Sequence, residues 1–313
     1  MNSDLVRSRP VLLAASAVLA AGVLVLLLIV KPFGSGDTAG TDGTDGTGAA
    51  AGSDPDKSPW PGPDNTGVPA GTQLTPYTGP CVVTENDTTI DAQEVTCDLV
   101  VRASGVRITR SSTRRIEIGD PPASVVVEDS SIDAGAWEGG AVAFGSMTLR
   151  HVDVRGGQHS VQCSEKCVVE DSWLHEQSLP PDQARHLNAF ISNGGSDMVI
   201  RHNTLSCNRR VNAVDGGCTA DLSLFGDFGP VTDVTVENNL FQASRGGYCG
   251  SFGYNPGKDF GEDATGIVVV GNVFERGPSG KCGVYGAVTS FQPDGEGNRW
   301  TDNTWDDGTP LQP

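Results

Sequence analysis

The feature that most constrains this chain is a short unit that keeps returning. At residues 198–205 the sequence reads Met-Val-Ile-Arg-His-Asn-Thr-Leu. Apolar residues at 198 and 200 alternate with polar ones, Asn203 breaks the run, and Leu205 resumes it. That is the pattern of a half-buried strand, a corner and a second short strand. Equivalent units lie at 106–113, 125–132, 147–154, 167–174, 234–241, 267–274 and 298–305. Their corner residues are Ser111, Ser130, Val152, Ser172, Asn203, Asn239, Asn272 and Asn303, so successive corners are 19, 22, 20, 31, 36, 33 and 31 residues apart. Two residues past each corner stand Thr113, Ile132, Val154, Leu174, Leu205, Phe241, Phe274 and Trp305.

A constant unit with a variable period is the mark of a solenoid with loops inserted on one side. No single unit buries its own apolar face, so neighbours must stack. Stacking would set Asn203, Asn239, Asn272 and Asn303 above one another as an amide ladder, with Phe241, Phe274 and Trp305 one step further on. A β-sandwich also offers many short strands, but it does not repeat an Asn-x-apolar corner at four consecutive turns of chain. The expected fold is therefore all-β, a parallel β-helix of about eight coils.

Ahead of the repeats the chain changes character twice. Residues 11–30 are uncharged and almost wholly apolar. Twenty residues at ~1.5 Å each span a ~30 Å hydrocarbon core. Arg7 and Arg9 precede the run and acidic sequence follows Lys31, which leaves residues 1–10 cytoplasmic. A single-pass signal-anchor is the expectation, with the C-terminal domain outside the cell membrane; a cleaved signal peptide is the alternative. Residues 31–66 are rich in Gly, Thr, Asp and Pro and read as a solvated tether. The β-helix domain is expected over 67–313, with 67–97 as a capping region.

All eight cysteines (Cys81, Cys97, Cys163, Cys167, Cys207, Cys218, Cys249 and Cys282) lie beyond the apolar run. An even count in an exported chain implies disulfides. Pairing in sequence order is expected among the 105 connectivities that eight cysteines allow. Cys163-x₃-Cys167 has no second Cys/His pair at zinc spacing, so no metal ligands are assigned. The formal charge of −18 argues against nucleic acid, whose binding needs clustered Lys and Arg. Gly277-Pro-Ser-Gly-Lys-Cys is too short for a phosphate loop, and Cys282 stands where Ser or Thr would hold Mg²⁺.

The units Val-Thr-Val-Glu-Asn-Asn-Leu-Phe and Ile-Val-Val-Val-Gly-Asn-Val-Phe resemble those of right-handed parallel β-helix proteins of the pectin-lyase-like superfamily. The run 186–203 and the segment 297–308 are similar to exported actinobacterial β-helix proteins, mostly of unassigned activity. The resemblance covers roughly 100–310 and implies three sheets per coil, with the corner between the second and third. In the polysaccharide lyases of this superfamily, the first sheet and its loops line the substrate groove. The first-sheet strands would then be 141–144, 160–162, 188–191, 222–225, 250–254 and 284–289, and the long inserts 175–187, 206–221, 242–249 and 275–283.

Loops on a rigid sheet are where chemistry concentrates. The inserts carry His175, Glu176, Asp182, Arg185 and His186, then Arg209, Arg210, Asp215 and Asp221, then Arg245 and Tyr248, and Lys281. On so acidic a protein, cations gathered on one face would make an anion site, for which a uronic-acid polymer is the natural ligand. A lyase needs its substrate carboxylate neutralised, a base for the C5 proton and a donor for the leaving oxygen. Arg209 and Arg210 suit the first task, His186 the second, and Tyr248 or His175 the third. Candidate substrate contacts are His159, Gln162, Asn188, Asp221, Tyr254 and Lys258. A glycosidase would instead draw its two carboxylates from Asp182, Asp215 and Asp221.

Each of these residues also has a plainer reading as a solvated loop residue. His202 and His151 adjoin the corners and are expected to be structural. Superfamily relatives carry His-x-Asp-Gly-x-Gln where this chain has His186-Leu-Asn188-Ala189-Phe-Ile191. The exchange of Asp for Asn188 removes a base or metal ligand and favours the alternative, a non-catalytic carbohydrate-binding, adhesion or structural envelope protein. A requirement for Ca²⁺ is left open by the residues.

Overall fold

A computed structural model describes residues 60–313. The expected helix at 11–30 and most of the tether lie outside the described residues; within them no helix is long and apolar enough to cross a membrane. What is described is wholly β and turn. Its 28 strands form three parallel sheets of nine, nine and ten strands, each strand but the end ones pairing with its counterparts one coil before and one coil after. This is the arrangement of a parallel β-helix.

The repeat alignment and the strand register agree residue by residue. Met147 pairs with Val125 and Cys167, and Met198 with Val234. Alternation explains the packing. In the second-sheet strand Gly195–Arg201, Met198 and Ile200 point into the core and are fully buried, while the residues between them face out. The outward column bears Glu128, Arg150, Glu170 and Arg201, whose alternating charges pair from coil to coil, and Arg107 reaches Glu128 diagonally from the coil before.

The corner holds two residues rather than one. Just before each Ser, Val or Asn, the backbone enters the left-handed region: Arg110, Asp129, His151, Asp171, His202, Asn238, Gly271 and Asp302 all have φ between 48° and 66°. Asp, Asn, His and Gly tolerate that conformation best, which accounts for His151 and His202. His202 lies 2.6 Å from Asp171, on the outside of the solenoid. Ala92 (φ 50°) makes a ninth such corner, with Gln93 paired to Thr75 and aligned below Ser111. The segment 67–97 is thus the first full coil, and the solenoid is longer than the expected eight. Its signal was weak because Gln93 stands where all but one of the later coils carry Asn or Ser.

The end of the tether is not wholly solvated. Trp60 stacks on His202 with ring centroids 5.4 Å apart, and Pro61 is buried. The Gly67 N–H donates to the His151 carbonyl at 2.9 Å, and the Val68 N–H to Ser131 Oγ at 3.2 Å. Gly67 has φ +81°, and a Cβ there would meet Ser131 Oγ at 2.6 Å, so this crossing admits only glycine.

All four disulfides join cysteines in sequence order: Cys81–Cys97, Cys163–Cys167, Cys207–Cys218 and Cys249–Cys282. Four such bridges and no free thiol suit an oxidising, extracytoplasmic compartment.

Candidate functional site

The four inserts all leave the third sheet and enter the first, so stacking of the coils lays them against one another. The Asn212 amide donates to the carbonyls of Pro180 and Gln183, at 3.0 and 2.8 Å. Ser244 Oγ donates to the Cys207 carbonyl at 2.9 Å. The N–H groups of Val284 and Tyr285 donate to Gly246 and Gly247. Cys207–Cys218 closes one insert and Cys249–Cys282 ties the next two together.

Between these loops lie two adjoining clefts. The larger, of about 670 Å³, is lined by Arg210, Gln242, Ser244, Arg245 and Glu275 among others. The smaller, of about 300 Å³, is lined by His186, Asp215, Tyr248 and Tyr285. Val211 forms part of both walls. Tyr285 is 72% exposed, and its ring lies 5.9 Å from that of Tyr248. Among the described residues, Arg210 and Arg245 form no ion pair, so their charge is presented to the cleft rather than spent within the fold.

The expected catalytic set is therefore divided. His186 and Tyr248 share the smaller cleft, and Arg210 faces the larger one. Arg209 turns away, its Nε donating to the Gln177 carbonyl at 2.8 Å. Tyr285 and Glu275 were not singled out from the sequence. An aromatic residue set between glycines inside an insert, as in Gly283-Val-Tyr285-Gly286, was the available signal for Tyr285.

The expected substrate contacts fare differently. His159 and Asn188 are buried, 3.3 Å apart, and Asn188 Oδ1 accepts from Ser223 Oγ at 2.6 Å. They are withdrawn from any ligand, and Asn188 bonds as a neutral amide where an ionised Asp would be desolvated. Burial lowers the His159 pKa from 6.5 to about 4, so the ring is neutral. Gln162, Tyr254 and Lys258 lie toward the opposite ends of the first-sheet strands. Gln162 lines a separate cleft of about 500 Å³ with Phe144 and Phe228, and Lys258 is engaged with Asp227 at 2.6 Å. Of the other insert residues, His175 lies 2.7 Å from Asp153 and stacks on Trp173. Arg185 donates to the Ala136 and Trp137 carbonyls.

Asp221 departs furthest from expectation. It sits within the strand Gly217–Leu224, not in a loop, and its side chain is fully buried. Oδ1 accepts the Cys207 N–H at 2.6 Å, and the Ser244 hydroxyl lies beside the carboxylate but donates to the Cys207 carbonyl, so Oδ2 accepts no hydrogen bond. Burial raises its carboxyl well above the usual carboxylate range. Its carboxylate and the Sγ atoms of Cys249 and Cys282 all lie within 4.8 Å of one another.

No family model, no curated protein and no solved structure matches the chain. The functional reading therefore rests on the site itself.

Proposed function

We propose that the protein is an exported, membrane-tethered β-helix that binds an acidic polysaccharide along its insert face. The observation that carries this reading is the pair of adjoining clefts, where Arg210 and Arg245 lie unpaired among the described residues of a chain of net charge −18. Two guanidiniums suit carboxylates in bidentate fashion. The Tyr248–Tyr285 pair beside them offers apolar ring faces of the kind that pack against a sugar. The likeness of the repeats to pectin-lyase-like proteins, and the groove that family places beside its first sheet, point the same way. The apolar run 11–30 would hold this face outside the membrane.

Titration of the ectodomain with polygalacturonate, alginate and a neutral glucan tests the proposal. Binding to the uronates alone is expected, weakening as salt rises. Arg210→Ala with Arg245→Ala should lower affinity about tenfold or more, roughly 1.4 kcal/mol. Equal binding of the neutral polymer would sink the reading.

A second reading has one observation behind it: His186 and Tyr248 share a cleft, as the base and proton donor of a β-elimination would. It requires an unsaturated, ultraviolet-absorbing product from a uronate polymer, lost in His186→Ala. Binding without that product leaves the first reading alone.

A further inference from the structure

Asp221 is hard to account for as part of a simple staple. A disulfide needs no acid beside it, and leaving a buried carboxyl oxygen without a partner is costly. Yet Asp221 is fully buried, its Oδ2 accepts no hydrogen bond because the neighbouring Ser244 hydroxyl donates to the Cys207 carbonyl instead, and it stands within 4.8 Å of both sulfurs of Cys249–Cys282. The arrangement is held from two sides. The Cys207 N–H fixes Oδ1, and the Asp221 N–H donates to the Cys249 carbonyl at 3.0 Å.

We infer that Asp221, Cys249 and Cys282 form a redox-gated site for a thiophilic divalent cation such as Zn²⁺, closed as a disulfide and opened by reduction. Two thiolates and one carboxylate are a suitable donor set for zinc. The Cα atoms of the two cysteines are 6.0 Å apart, which leaves the freed sulfurs room to part to the ~3.8 Å that tetrahedral zinc–thiolate bonds require. The carbonyl oxygen of Gln242 lies 3.5 and 3.8 Å from the two sulfurs. Cys282, Gln242 and Ser244 also line the larger cleft, so the fourth position borders a route from solvent.

A phosphine reductant and water convert the disulfide to two thiols and phosphine oxide. The cation then displaces the two thiol protons, together with any proton on the Asp221 carboxyl, and the three anionic groups bind it. The bound cation would give Oδ2 the partner it lacks. The surroundings set the state, since an oxidising compartment closes the pair and a reducing one opens it. This inference does not depend on the glycan reading.

The test is spectroscopic. The folded ectodomain is treated with a phosphine, its thiols are counted, and Co²⁺ is titrated in while the thiolate charge-transfer and tetrahedral d–d bands are followed. The reduced protein should show those bands and bind one Co²⁺ more than Cys249→Ser/Cys282→Ser under the same conditions. Asp221→Asn keeps the shape and the disulfide but not the anionic ligand, and should weaken that site roughly tenfold or more. Three results would overturn the inference: a pair that stays closed in the folded chain, the same stoichiometry in the double serine variant, or unchanged affinity in Asp221→Asn.

Discussion

The two halves of the solenoid solve the same corner differently. In the N-terminal coils the corners are 19 to 22 residues apart and three of the four carry Ser; in the C-terminal coils they are 31 to 36 apart and all carry Asn. A serine rung joins only two coils. Ser130 Oγ donates to the Glu128 carbonyl two residues back, at 2.7 Å, and accepts one N–H, that of Ser111. An asparagine rung joins three coils. Asn239 Nδ2 donates to the Ile200 carbonyl on one side and to Asn272 Oδ1 on the other, at 2.8 and 2.9 Å. Its Oδ1 accepts both the backbone N–H and the Nδ2 of Asn203. Phe241 and Phe274 stack beside the ladder at 4.3 Å. Longer inserts cost more entropy to close, and the half that carries them has the more extensively bonded corner. The insert face can vary because the opposite wall does not.

Breaking one rung in each half tests that contrast most strongly. Asn239→Ala leaves the Asn203 N–H and amide without their acceptor, and should cost about 3–5 kcal/mol. Ser130→Ala leaves only the Ser111 N–H unmet and should cost about 1–2 kcal/mol. Denaturant unfolding measures both, and equal losses would erase the distinction.

His159 begins a first-sheet strand in the last of the short-period coils and gives a pH signature. Its folded pKa of about 4 lies below the ordinary 6.5, so the unfolded chain binds the extra proton first. Stability should therefore be lost as pH falls from 6.5 toward 4, by up to about 3 kcal/mol. Melting temperatures at the two ends of that window should draw together in His159→Gln. An unchanged pH slope would place the acid sensitivity elsewhere.

The smallest effect concerns Val152, the one corner of the eight aligned units without a polar side chain. Val152→Ser would offer the Ser130 N–H an acceptor, as Ser172 Oγ does for the Val152 N–H at 3.2 Å. A gain of about 0.5–1 kcal/mol is expected, less the apolar contact given up. A net loss would show that packing outweighs the rung at this level.

The alternation at Met198 and Ile200, the recurring Asn and the even cysteine count were each local enough to read directly. They carried the strands, the ladder, the stacking order and the presence of disulfides; the structure supplied the pairing. The first coil escaped because Gln93 and Ala92 lack the residue types that flagged the others. The candidate site was legible only as a set of inserts. That His186 shares a cleft with Tyr248 while Arg209 turns to Gln177 depends on how loops of different lengths lean on one another, and no spacing encodes that.

Residue types and their period, then, determined the coil, since side-chain alternation and corner sterics act over a few residues. Only the tertiary structure decided which polar residues face solvent. His159, Asn188 and Asp221 carry the same side chains in sequence as any surface residue. Burial, which is a property of the stacked coils and not of the residue, made the first two part of the packing and left the third beside a disulfide.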